Sequence, residues 1–554
     1  MTSESDLVPQ RGVSRRDFMR YSSMLGVAAA ATAALGACGT SSSKGTSAAT
    51  TATTATTLSG SSSPTSAAST VPTGAITAGL AYNLDTNFDP ISASGAAALA
   101  LNMHVFEGLV DMDMPTRTPY NTLAQTLTET APTTWTAKLR SGATFHDGTP
   151  VTADDVVFSY TRILDPTNNS TLSEFLPFIK SVTATATDTV EFQLNYPFRL
   201  FPSRVTCVKI VPKAAVTADP TGFALKPIGS GPFKVTSATP QVSYILSAFQ
   251  PYNGPKPAKV ATLTFLPITS SSARVTALQS NRVQAIEAAP PVDVPTLKTT
   301  DTVQSVESFD LMFMMFNCKM KPFDDPRVRQ ALHYALNVPQ IIQTGLLGYG
   351  TPATSFMPTT SAYYQRAAKV YAYNPSKAKS LLAAAGVSNL QITLLSSTVN
   401  FIAACAPVVK ENWDAIGVNT TIKLGGSGGL YKNYVDKGNY QVMVAPGDPS
   451  VWGPDDPDLL MRWWYVGQWP QRRYYWNTTS QAQQLVSLLN QGAQATTSSA
   501  QKALWKQAFD LLSEEVPLYP LFHANLATAW NAKKLVGFQP ITTTGLDFLG
   551  VGIK

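Results

Sequence analysis

Charge is scarce in this chain. Only 14% of its 554 residues are Asp, Glu, Lys or Arg, with 41 basic residues against 35 acidic ones and a formal net charge of +6. The small excess is nowhere gathered into a basic block or stripe. Nucleic-acid binding usually needs clustered lysine and arginine, so no nucleic-acid partner is expected. Cysteine is rarer still: Cys38, Cys207, Cys318 and Cys405 are all there are. The three beyond Cys38 are an odd set at wide spacings, which is no disulfide framework; one bridge is permissible in an exported protein, but the sequence does not choose the pair. Four histidines (His104, His146, His333, His523) stand apart, without H-x-x-x-H or C-x-x-C spacing, and no metal site is expected. No apolar run is long enough to cross a bilayer. The nearest, Met24 to Ala37, is mostly alanine and 14 residues long, where spanning takes about 20.

Catalytic signatures are missing too. There is no Walker A or G-x-G-x-x-G string. Ser41-x-x-Lys44 matches S-x-x-K, but it lies in a low-complexity stretch, where no pocket can support it. Asp111-Met-Asp113 starts like a calcium loop, but Thr116 and Thr122 stand where Gly and Glu are required. The expectation is a protein that is not an enzyme and carries no cofactor.

What is present begins at the front, with "SRRDFMRYSSMLGVAAAATAALGACGT" (14–40). The Arg15-Arg16 pair, the short weak apolar run and the small residues after it have the form of a secretory signal, and the arginine pair favours the twin-arginine route. The exit, Leu35-Gly36-Ala37-Cys38, resembles the bacterial lipobox. That resemblance implies diacylation of Cys38, and two acyl chains hold a membrane stably. Gly39 to about Thr73 is nearly all Ser, Thr, Ala and Gly, too poor in apolar surface to offset the entropy of ordering. It reads as a flexible stalk. About 480 residues follow, enough for two or three domains.

Those residues carry ordered local signals. In "LRSGATFHDGTPVTADDVVFSYTRIL" (139–164), His146-Asp147-Gly148 marks a turn, Thr152 and Asp155 form a capping-box start, and Val156, Tyr160, Ile163 and Leu164 share a helical face. In "NCKMKPFDDPRVRQALHYALNVPQII" (317–342), Asp325 can cap, Pro326 suits the first turn, and Val328, Ala331, Leu332, Ala335 and Leu336 make one apolar stripe. In "YNPSKAKSLLAAAGV" (373–387), Asn374 caps, Pro375 opens and Gly386 ends a helix. "VEFQLNY" (190–196) and "YQVMVA" (440–445) read as strands.

As strings, these blocks resemble the family-5 extracellular solute-binding proteins, the oligopeptide- and dipeptide-binding group of ABC importers. "LDTNFDP" (84–90), "FEGLV" (106–110), "PIGSGPFKV" (227–235) and "ENWDAIGVNTTIK" (411–423) continue the resemblance in the family's order, over nearly all of 75–550. It implies an α/β, two-lobed periplasmic-binding-protein-like fold with a hinge and an extra third domain. Domain I would comprise 74–117, 227–306 and 519–554, domain II 118–226, and domain III 307–518. It implies a monomer outside the cytoplasm, lipid-anchored to the cell membrane, that captures peptides between lobes for an ABC permease. Alternatives are a non-peptide solute (oligosaccharide, metal chelate, haem, glutathione, an opine-like compound) or a receptor that senses peptides without transport.

The resemblance also points to ligand residues. Peptide-binding relatives hold the ligand as an added strand, through main-chain hydrogen bonds; the corresponding segment here is Ser94-Gly95-Ala96, where Gly95 permits close approach. The relatives' amine-binding aspartate would be Asp448, or Asp455 after it, in "PGDPSVWGPDDPDLLMRWWY" (446–465). Relatives place a Gly-Trp pair before that aspartate; here Ala445-Pro446 stand there and Trp452 comes after. Carboxylates near Trp452, Trp463 and Trp464 suit a cationic, partly apolar ligand, while Asp455, Asp456 and Asp458 also read as caps and turns. "GQWPQRRYYW" (467–476) could meet a carboxylate or sugar, or cover a lobe.

Overall fold

The computed structural model describes residues 71–83, 87–92, 96–447 and 455–554, with only the backbone of Ala96, Ala97, Leu99, Asn400 and Leu526. The strands used below are β1 (Ala75–Leu80), β2 (Ala124–Ala131), β3 (Thr134–Leu139), β4 (Ile179–Ala186), β5 (Thr189–Leu194), β6 (Phe233–Thr239), β7 (Ser243–Ala248), β8 (Thr262–Pro267), β9 (Ala285–Ile286), β10 (Thr302–Phe316), β11 (Gly350–Pro352), β12 (Gln391–Ser397), β13 (Asn419–Gly425), β14 (Val442–Gly447) and β15 (Leu518–Trp530).

One mixed sheet runs through the molecule in the order β13-β12-β14-β10-β15-β9-β1-β8-β7-β6, with β11 added to β15. Its two wings are each built on parallel pairs: β1 lies parallel to β8 and β9 in one, and β12 parallel to β13 and β14 in the other. The wings share two long antiparallel strands. The first residues of β10, Thr302–Val306, pair with Leu526–Trp530 of β15, whose end also pairs with β9. The last six, Leu311–Phe316, pair with β14 as well. Between Glu307 and Leu311 the register shifts, and such an irregularity bends a strand. The sequence explains the asymmetry: β10 is polar and exposed at its start, then runs Phe309-Asp310-Leu-Met-Phe-Met-Met-Phe316 entirely buried, the near-continuous apolar pattern of a strand covered on both faces.

A separate four-stranded antiparallel sheet, β2-β3-β5-β4, is inserted between the blocks of the first wing. Its alternating strands bury Trp135, Ala137, Val190 and Phe192 under the helix Ala153–Leu164. That helix starts with the expected capping box of Thr152 and Asp155, and Val156, Tyr160 and Ile163 face inward. Pro326–Tyr334 is capped by Asp325 and Pro375–Ala384 by Asn374, with Gly386 at φ +69°. β14 extends through Pro446 and Gly447, two residues past the apolar run read from sequence. Gly447 is required there, because a Cβ would meet the Trp464 ring at 2.6 Å. Among the described residues no helix is long and apolar enough to cross a membrane.

Candidate ligand-binding cleft

In sheets of this kind ligands settle outside the carboxyl ends of the parallel strands, where strand order changes. Here the carboxyl ends of both wings face one space. Ala81 and Tyr82 follow β1, Thr269 follows β8, Ala288–Pro291 follow β9, and Thr398, Val399 and Phe401 follow β12. With Asp310 of β10, Asn525 of β15 and Tyr349, they enclose a cavity of about 390 Å³, at the lower end of the 300–1,000 Å³ common for small-molecule sites. The wings meet it from opposite sides, and the two shared strands floor it.

The wall on the first wing is rigid for a specific reason. Arg274, on the Ser270-capped helix Ser271–Gln279, is buried, and its guanidinium donates to the carbonyls of Ile268 (2.7 Å), Glu287 (3.0 Å) and Ala288 (2.7 Å). One cation thereby ties together the segments leaving β8 and β9. Burial holds its pKa below the usual guanidinium range, partly countered by the Glu287 carboxylate. Glu287 accepts in turn from the amides of Ala81 (2.8 Å) and Gly545 (2.6 Å), which fixes the segment leaving β1. On the hinge side, buried Ser308 donates to the Ala524 carbonyl at 2.8 Å and accepts from the Asp310 amide at 3.1 Å, pinning the register shift between β10 and β15.

Of the residues singled out from sequence, Ser94, Gly95, Asp448 and Trp452 lie outside the described residues, as do Arg15, Arg16 and Cys38. Ala96 opens the helix Ala96–Val105. Asp455 is described and half-buried. It accepts from Ser361 Oγ at 3.0 Å, and burial pushes its carboxyl up to about 7, against the Arg117 charge that pulls it down. Asp456 is indeed a cap, on the helix Pro457–Tyr465. Trp464 is not a ligand face: it is buried, 5.0 Å from the Phe313 ring and 4.6 Å from Trp469. In 467–476, Arg473 stacks on Trp469 at 4.0 Å and pairs with Asp436 at 3.0 Å, while Tyr474 and Trp476 are core residues. Sequence reasoning missed Tyr82, Arg274, Asp310 and Asn525. Asp310 carried a usable signal, a lone acid in an otherwise apolar strand. Arg274 carried none, because its partners are carbonyls from separate segments. Among the described residues no group of three or more His, Cys, Asp or Glu could hold a metal ion.

A cleft between two wings of parallel strands, floored by two shared strands, defines a two-lobed binding protein. Residues 118–471 match the family described as bacterial extracellular solute-binding proteins, family 5 Middle, and the chain belongs to that family. It is 27% identical over 475 residues to the glutathione-binding protein GsiB of Escherichia coli K12, covering 84% of this chain and 91% of that one. Among solved structures it is similar to the binding protein AgaA of A. tumefaciens R10 in complex with agropinic acid, at 25% identity and a TM-score of 0.77, covering 87% and 99% of the two chains. The dipeptide-binding protein of Pseudoalteromonas sp. SM9913 in complex with Met-Leu shares the fold at 18% identity and a TM-score of 0.76, covering 87% and 100%. These are extracytoplasmic solute-binding proteins of ABC importers, with mixed α/β, two-lobed architecture.

Proposed function

We propose that this chain captures short peptides, or a small amine-bearing solute of similar size, between its lobes and hands them to an ABC permease without chemical change. The cleft carries the reading. Asp310, which lines the cavity, suits the ammonium of a zwitterion, Asp455 outside that lining is a second candidate carboxylate, and the volume suits a ligand of two or three residues. The reading keeps domain I as 74–117, 227–306 and 519–554, domain II as 118–226 and domain III as 307–518, and the register shift between Glu307 and Leu311 supports a hinge beside the 306/307 boundary. Cys38 supplies the lipid tether, Arg15 and Arg16 the export route, and the protein acts as a monomer. A non-peptide, opine-like solute is the second reading, favoured by the likeness to AgaA.

Native mass spectrometry of gently purified protein, followed by denaturing release, tests the ligand class. A ladder of mixed peptide masses supports the first reading; one defined non-peptide mass overturns it. Asp455→Asn adds a residue-level test. A carboxyl held near 7 must lose its proton when an ammonium arrives. Binding of trialanine should therefore release protons below about pH 7 in the wild type. The Asp455→Asn variant should bind it roughly tenfold more weakly and without that release. Calorimetry in buffers of different ionisation heat reads both.

A further inference from the structure

Beside the apolar core that the four-stranded unit shares with the far lobe, one side chain ties the two by buried ion pairs. Arg204 ends the short helix Phe201–Arg204, and its guanidinium is fully buried. Nε and Nη2 donate to the two oxygens of Asp456 at 2.9 and 2.7 Å. Nη2 also donates to Asp458 at 2.8 Å, and Nη1 to the Phe175 carbonyl at 2.7 Å. Asp456 simultaneously accepts the cap bond from the Leu459 amide at 2.6 Å. Asp458 accepts from Arg462 Nε at 2.8 Å, and Arg462 donates onward to Asn490 at 2.9 Å. Two arginines and two aspartates, none more than 4% exposed, close a dry and neutral cluster.

Arg204 and Asp456 are 252 positions apart, and the covalent path between them runs through β10, one of the two strands the wings share. Opening the cleft about those strands must draw the guanidinium out of the aspartates. The bidentate fork then has a second consequence. Asp456 follows Asp455 directly, so the contact that seats Asp456 also seats the Asp455 carboxyl, which accepts from Ser361 Oγ. We propose that Arg204 is a closure-coupled positioning residue, bonding Asp456 and Asp458 only when the lobes are together and thereby holding Asp455 where a ligand meets it. The role of Asp455 rests on the reading above; the closure contact does not. A buried ion pair of this kind adds little net stability compared with an apolar replacement, but losing one partner strands the other in a dry site. The fork thus selects a single closed register.

The test is small-angle X-ray scattering of the full chain alone, with excess trialanine and with excess reduced glutathione, alongside calorimetry of both probes. The wild type should be compact in at least one of the three samples. Arg204→Met should stay expanded in all three and bind any effective probe at least about tenfold more weakly, because the closed population falls. Arg204→Met/Asp456→Asn should recover both compactness and affinity: Asn still caps the helix, and Asp458 keeps Arg462. Ligand-free melting of each variant confirms folding. A role confined to packing would not be rescued by removing the second charge. Compaction of Arg204→Met equal to wild type, failure of the double variant to recover, or a wild type expanded in every sample would each overturn the proposal. Heats absent for both probes would instead sink the peptide reading and leave the scattering comparison standing.

Discussion

The four-stranded unit has two joints, and they are made differently. Toward the first wing the bonds are many, and several run through the backbone. Arg140 grips Glu107 with both Nη atoms at 3.1 and 3.2 Å and reaches Asn253 at 2.8 Å, while Tyr252 donates to Glu107 at 3.0 Å. His146 bonds the Gly231 carbonyl through Nε2 at 3.0 Å, and its own amide donates to the Gly229 carbonyl at 2.8 Å. Ser170 donates to the Ile91 carbonyl at 3.1 Å, and Arg162 pairs with Asp89. Toward the far lobe the polar ties include the Arg204 cluster, an Arg199 bond to the Thr496 carbonyl and a Gln468 amide bond to Glu174, beside the Phe175–Trp463 ring contact and an apolar core that the two parts share. Main-chain bonds bind a joint to the fold of its own segments, whereas side-chain ion pairs can separate and rehydrate. The first joint is the richer in bonds to the main chain, and on the closure proposal it is the second that opens.

The largest expected effect falls on the first joint. Arg140→Ala leaves Glu107, whose side chain is 3% exposed, with the Tyr252 hydroxyl but without its cation. Burial already pushes the Glu107 carboxyl above the usual carboxylate range, with Arg140 pulling it back. The variant should lose about 3 kcal/mol of stability in urea unfolding without ligand, while the folded fraction keeps its affinity for a bound probe. Unchanged stability, or a loss of affinity in place of stability, would erase the contrast between the joints.

How much of this was readable in advance follows from the range of each interaction. The caps at Thr152, Asp325 and Asn374 were legible because their partners lie within three residues, as was the glycine stop at Gly386. The ordered blocks carried the family. Asp456 was legible as a cap for the same local reason, but not as a partner of Arg204, since nothing in a single sequence joins positions 252 apart. Arg274 was invisible for a related cause: its acceptors are carbonyls, which every residue has. The extra reach of β14 through Pro446 and Gly447 was missed because proline and glycine argue against a strand, and the Trp464 ring that demands Gly447 arrives from another segment.

A smaller effect should separate the joints by pH. Glu174 faces the far lobe beside a cavity of about 730 Å³, opposite Asp436, Gln468, Arg472 and Arg473. Burial pushes its carboxyl up to about 7 from an ordinary 4.5, against a hydrogen bond from the Gln468 amide that lowers it. The raised folded value sets the sign: between about 4.5 and 7 the native protein holds a proton the unfolded chain has lost, so stability falls as pH rises through that window and stays low above it. Glu174→Gln should match the wild type below about pH 4.5 and be the more stable above about 7, by urea midpoints across the range. Parallel curves would show that this carboxyl is not held away from water.

The smallest effect uses a cysteine as a witness. Cys207, Cys318 and Cys405 are all free and buried, and burial pushes their thiols up to about 12, 11 and 12. A thiol that high offers almost no thiolate, so all three should resist alkylation in the native protein. They differ in position, however. Cys207 donates to the Arg204 carbonyl at 3.0 Å, whereas Cys405 bonds the Ile341 carbonyl at 3.6 Å inside the far lobe. If the Arg204 joint opens and closes while the lobe cores stay packed, peptide-resolved alkylation should label Cys207 first, and Arg204→Met should speed that site alone. Equal rates at all three would mean that the thiols are reached only by global unfolding, and that the joint to the far lobe opens no more readily than the joint to the first wing.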